Sequence, residues 1–86
     1  MRIEKIEGWV NGRDRQCEGV VHIGMEVLEF EVDTEDGMTA IHVKLNEGWL
    51  NLEYDVEEIS GQCGEDLYDE LLYEIEDAGF GINCDE

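Results

Sequence analysis

Hydrophobic positions recur every second residue through most of the chain and every three to four residues near its end, which predicts strands followed by a helix. The clearest strand is MTAIHVKL, residues 38–45, with Thr39, Ile41, Val43 and Leu45 facing one way and Ala40, His42 and Lys44 the other. After a short turn at NEG, 46–48, the stretch WLNLEYDV places Leu50, Leu52, Tyr54 and Val56 inward and Trp49, Asn51, Glu53 and Asp55 outward. Upstream, CEGVVHIGMEVLEFEV, 17–32, alternates on Val21, Ile23, Met25 and Val27 and then moves to the opposite parity with Leu28, Phe30 and Val32. That phase change requires a bulge, a bend or a sheet covered on both sides. The segment DTEDG, 33–37, reads as a hairpin connection, and RIEKIEGWV, 2–10, as a strand of imperfect alternation ending at an Asn11–Gly12 turn.

The stretch EDLYDELLYEIEDAGF, 65–80, has a different period. Leu67, Leu71, Ile75 and Ala78 form an apolar stripe flanked by Tyr68 and Leu72, with Gly79 expected just past the helix end and Phe80 folding back as the contact after it. Glycines in SGQCG, 60–64, fit a turn before the helix, and GINCDE, 81–86, is a short tail or an extra edge strand. These elements predict an α+β fold in one domain, 1–86: a three- or four-stranded antiparallel sheet packed by one C-terminal amphipathic helix.

Composition supports a folded domain and sharpens the question of function. The chain is 42% hydrophobic, with two Trp, three Tyr and two Phe, which suffices for one modest core. It lacks an apolar run long enough to span a bilayer and a leader-type segment, so a cytoplasmic location without membrane contact is the expectation. Cys17, Cys63 and Cys84 are odd in number and have no metal-type spacing, so reduced thiols are expected. The 24 acids against 5 bases give a formal charge of −19, well beyond the magnitude of about 2–8 that solubility asks of a small domain. All five bases lie before residue 45, and Arg2, Lys5, Arg13, Arg15 and Lys44 read as local relief of repulsion. Without a basic patch the chain is not expected to bind nucleic acid directly, and long-range attraction favours a cationic protein surface.

On the helix, five like-charge pairs at i,i+4 (65/69, 66/70, 70/74) and i,i+3 (66/69, 74/77) cost about 1–2.5 kcal/mol at low salt. Turn-to-turn spacing of about 5–6 Å on a helix, and about 6.5–7 Å between alternate strand residues, approximates the separation of phosphates along one DNA strand. The candidate partner interface is therefore Glu53, Asp55, Glu57, Glu58, Glu65, Asp66, Asp69, Glu70, Tyr73, Glu74 and Asp77, with Tyr73 as an aromatic anchor among carboxylates. In size, acidity and sheet-plus-helix build, the chain resembles small phage-encoded inhibitors that imitate DNA, of the anti-CRISPR and anti-restriction types. The resemblance implies a stoichiometric inhibitor whose partner is a basic nucleic-acid-binding protein, such as a host defence nuclease or effector. The rival readings are an acidic structural or adaptor domain for another basic protein surface, and a halophilic small protein. The excess of sixteen Glu over eight Asp weakens the latter.

No enzyme motif is present. His22 and His42 fall opposite the apolar stripe and are expected to approach across adjacent strands, with Cys17 as a conceivable third zinc ligand, but their spacing fits no zinc signature. DTEDGM resembles a calcium loop only in composition, so neither metal nor cofactor is expected. Trp9 and Trp49 are read as core or edge packing, Trp49 also as an outer-face ring able to meet an arginine. The expected state is a monomer or a small homo-oligomer, because self-repulsion opposes larger assemblies.

Overall fold

The computed structural model describes residues 1–11, 14–35 and 37–80. Five strands form one antiparallel sheet in sequence order: β1 (Arg2–Asn11), β2 (Asp14–Ile23), β3 (Glu26–Glu35), β4 (Met38–Leu45) and β5 (Gly48–Asn51). A two-stranded ribbon follows, β6 (Glu58–Ile59) and β7 (Gln62–Cys63), and leads directly into α1 (Gly64–Ile75) and a final turn, Glu76–Phe80, kinked at Gly79. The fold is α+β with a C-terminal helix on an antiparallel sheet, as the pattern predicts, but the main sheet has five strands, one more than the upper expectation.

The additional strand comes from a turn hidden in an apolar run. Residues 17–32 fold as the ends of two strands around Gly24 and Met25, and Ile23 pairs with Glu26. Gly24 has φ +60°, the left-handed value that a hairpin of this length requires at its first turn position. Pairing across a two-residue turn joins an odd position to an even one, so the inward parity must flip from Val21 and Ile23 to Leu28, Phe30 and Val32. That is the predicted phase change, and its cause is a reversal of the chain. Met25 and Val27, expected on one face with Val21 and Ile23, are therefore exposed, Met25 almost completely at 96%.

The other registers follow the same rule. Asn11 pairs with Asp14, Glu35 with Met38 and Leu45 with Gly48, so each connection in the main sheet is two residues long. Gly12 of the expected first turn lies outside the described residues, as does the tail 81–86 with Cys84. In β1 the register shifts between Ile3 and Lys5, where Glu4 is the extra residue of a bulge. The bulge brings Ile3 and Ile6 to one face despite their odd spacing, which explains the imperfect alternation.

One face of the sheet builds the core. Cys17, Val21, Ile23, Leu28, Phe30, Val32, Ile41 and Val43 are buried there, and Leu67, Leu71 and Ile75 of α1 close over them with no measurable exposure. Burying three such side chains contributes about 5–9 kcal/mol before entropy, against about 1–2.5 kcal/mol of repulsion on the opposite side of the helix. Packing wins, and the acidic helix holds. Ala78 departs from the predicted stripe and is exposed, because the regular helix ends at Ile75. Gly79 takes φ +98°, as expected of its position, and Phe80 is half-buried against the core.

The segment 52–55 is a turn rather than a continuation of β5. Asn51 stops the strand: its Oδ1 accepts from the backbone N–H groups of Glu53 at 3.0 Å and Tyr54 at 3.1 Å, a local side-chain turn that competes with the ladder. Leu52 and Val56 are still buried, but Tyr54 points outward at 78% exposure. Gly64 fixes how α1 meets this turn. A Cβ there would lie 2.3 Å from the carbonyl oxygens of both Leu52 and Val56, so only glycine lets the helix start so close.

Candidate functional site

The helix projects its carboxylates away from the sheet, and successive residues are turned by about 100° around its axis. Glu65, Asp66, Asp69, Glu70 and Tyr73 are exposed, Glu74 is half-buried and Asp77 is exposed on the following turn. Tyr73, 71% exposed, stands within this fan of acids. Among the described residues, the one cation within 4 Å of these groups is the terminal ammonium of Met1, 3.7 Å from Glu70. Arg2 and Lys5 border a hollow that also contains Glu74 and Asp77, so the β1 end of the face is less starkly anionic than its other end.

Glu53 and Asp55 reach this region by a different route from the one expected. They lie in the 52–55 turn, not on a strand, so the alternate-residue spacing of about 6.5–7 Å proposed for them does not exist. The turn instead places Glu53 beside Tyr54 and Tyr68. The carboxylate of Glu53 raises the pKa of Tyr54 above the usual phenol value, with further contributions from its hydrogen bond, from desolvation and from Glu65. Tyr68 is raised chiefly by burial, then by Glu53, with Asp69 adding and Arg15 opposing. Glu53, Glu65 and Asp69 are thus gathered around two tyrosines at the start of α1. Asp55 is exposed but turned to its own backbone, its Oδ2 accepting from the Asn51 N–H at 3.2 Å. Glu57 and Glu58 are exposed at the approach to the ribbon.

His22, His42 and Cys17 do not come together. His22 lies in β2 and His42 in β4, with β3 between them, so they are not on adjacent strands. His22 Nε2 meets Glu4 Oε1 at 2.8 Å, while Cys17 is buried on the opposite face of the sheet, where desolvation raises its thiol pKa. No group of three or more candidate metal ligands is gathered among the described residues.

Arg15 is another correction. Its parity turns it inward, it is only 2% exposed, and its Nη1 donates to the Phe80 carbonyl at 2.7 Å. It holds the C-terminal turn instead of relieving surface charge. The sequence signal was available, since Arg15, Cys17, Val21 and Ile23 share one parity, but a polar neighbourhood concealed it.

Fold and face together define a small α+β protein with an antiparallel meander, one covering helix and a largely unpaired acidic surface. Compared with known protein families, curated proteins and solved structures, the chain matches none.

Proposed function

We propose that this protein is a stoichiometric inhibitor that occupies the basic nucleic-acid-binding surface of a target protein, presenting carboxylates where phosphates would lie. The observation that carries the reading is the outward face of α1: a continuous set of acids, extended by Glu53, with one cation contact among the described residues. Such a face costs stability, and a cationic groove would return it by giving each carboxylate a charge-assisted partner. The likeness to phage inhibitors makes a host defence nuclease or effector the target class.

A second reading, an adaptor for a basic protein surface unrelated to nucleic acid, is favoured by Tyr54 and Tyr73, which are 78% and 71% exposed and have no counterpart in a phosphate train. One experiment separates the two. The tagged protein is used to capture partners from nuclease-treated lysate, and duplex DNA is then added as competitor. The inhibitor reading requires a stoichiometric nucleic-acid-binding partner that DNA displaces and whose affinity falls at least about tenfold when Asp69, Glu70 and Glu74 are changed to Ser. A partner that DNA leaves in place supports the adaptor. A partner indifferent to the three substitutions overturns the assignment to the helix face.

A further inference from the structure

The sheet has a second face, and among the described residues no element covers it. Its outward positions form rows across the strands, and in one row Glu7 pairs with Glu18, Glu18 with Glu31, and Glu31 with His42. Three carboxylates therefore stand directly opposite one another on three adjacent strands, where side chains begin only about 4.5–5.5 Å apart and like charges destabilise the sheet. Trp9 and Trp49 rise from the same face on the two edge strands, 50% and 42% exposed. Each walls a hollow. One, of about 430 Å³, is lined by Trp9, Gln16, Asp33 and His42 together with the carboxylate row. The other, of about 310 Å³, is lined by Trp49, Val20, Glu29 and Lys5 together with the same row.

We propose that this sheet face is a second docking surface, independent of the acidic helix, whose occupant is an arginine-bearing segment of a basic protein. The occupant follows from charge and shape. Stacking on an indole selects a flat group, and the carboxylate row selects a cation that can donate to two neighbouring acids at once; a guanidinium satisfies both, whereas an ammonium has neither the plane nor the fork. The hollow beside Trp9 is the stronger subsite, because among the described residues Glu7, Glu18, Glu31 and Asp33 line it without a lysine or arginine. On the Trp49 side Lys5 lines the hollow, and Lys44 lies 3.8 Å from Glu29. A second copy of the chain fits poorly, since it would bring the same carboxylate row against itself.

Both tryptophans of the chain lie on this face, so their fluorescence reports on it and not on the helix. The test titrates the full chain with a capped Arg-Gly-Arg-Gly-Arg peptide and with its lysine counterpart at matched ionic strength. The expected result is a fluorescence change with the arginine peptide at least about tenfold tighter than with the lysine peptide, weakened at least about tenfold by Glu18→Gln with Glu31→Gln, and retained when Asp69, Glu70 and Glu74 are serine. The glutamine pair removes opposed like charges, so it preserves the fold. Equal response to both peptides, or indifference to the glutamine substitutions, overturns the proposal as charge attraction alone. Loss of the response in the serine variant also overturns it, by showing that the two faces are not independent.

Discussion

Arg15 and Tyr68 show how single side chains hold the lid on the sheet. Arg15 spans 65 residues of sequence to reach the Phe80 carbonyl, while the Tyr68 hydroxyl donates to the Thr39 carbonyl at 3.0 Å and joins α1 to β4. The Arg15 Nε is buried without a hydrogen-bond partner among the described residues, so the guanidinium is retained at a cost. Tyr68 also gives the stability a pH dependence. Its folded-state pKa is raised, as are those of Tyr54 and Cys17, so the folded state holds these protons more tightly than the unfolded chain. Their contribution is complete below the unfolded values and is lost as pH rises through the folded ones. Stability should therefore decline on the alkaline side, from about pH 9 upward. Tyr68→Phe should cost about 0.5–1.5 kcal/mol at neutral pH and make the alkaline decline shallower; urea titrations at neutral and alkaline pH measure both effects. A decline as steep as in the parent would remove Tyr68 from this account.

At the scale of elements, the two-residue turns organise the sheet, and one is imperfectly furnished. Asn46 and Glu47 have φ +49° and +74°, the pair of left-handed conformations that a tight hairpin needs. Asparagine tolerates this, but glutamate is strained. Glu47→Gly should raise stability by about 0.5–1 kcal/mol despite the extra freedom it gives the unfolded chain, read as a higher urea midpoint at unchanged slope. An unchanged or lower midpoint would show that the turn is not strained. This turn was legible from NEG, as were β4, the helix and Gly79, because each combines a clear period with a residue suited to its boundary. The turn at Gly24–Met25 was not, since apolar residues at 21, 23, 25 and 27 continue one parity through it. Only the later phase flip and Gly24 betrayed it. The end of β5 was missed for a related reason: Leu50, Leu52, Tyr54 and Val56 keep a strand period, while Asn51 supplies a local turn that periodicity does not register. The acidic helix face was foreseen because its helical period is long and regular. The row of Glu7, Glu18 and Glu31 was not, because it exists only once three strands are in register.

For the whole molecule, charge sets the conditions under which it is most stable. Acids outnumber bases by nineteen, and among the described residues only Glu4, Glu29 and Glu70 meet a cationic or ionisable nitrogen within 4 Å. Added salt should therefore stabilise the fold by screening repulsion. Between roughly 0.01 M and 0.5 M sodium chloride the unfolding free energy should rise by about 1–2 kcal/mol, measured by urea denaturation, and the same salt should weaken capture of a basic partner. A fall in stability with salt would mean that the few ion contacts outweigh the repulsion, and would remove the energetic reason for a cationic partner.

The meander also makes the main-sheet pairings local in sequence. Each main-sheet strand pairs with its neighbour in sequence through a two-residue connection, so the sheet can zip up by closing only short loops. The helix comes afterwards in the chain, and its departure would leave every main-sheet pairing intact. Lifting of the helix would therefore uncover the apolar face without breaking that ladder. With a formal charge of −19, self-repulsion would oppose encounters between copies opened in this way, so the charge that burdens the native fold would also guard an uncovered core face against aggregation.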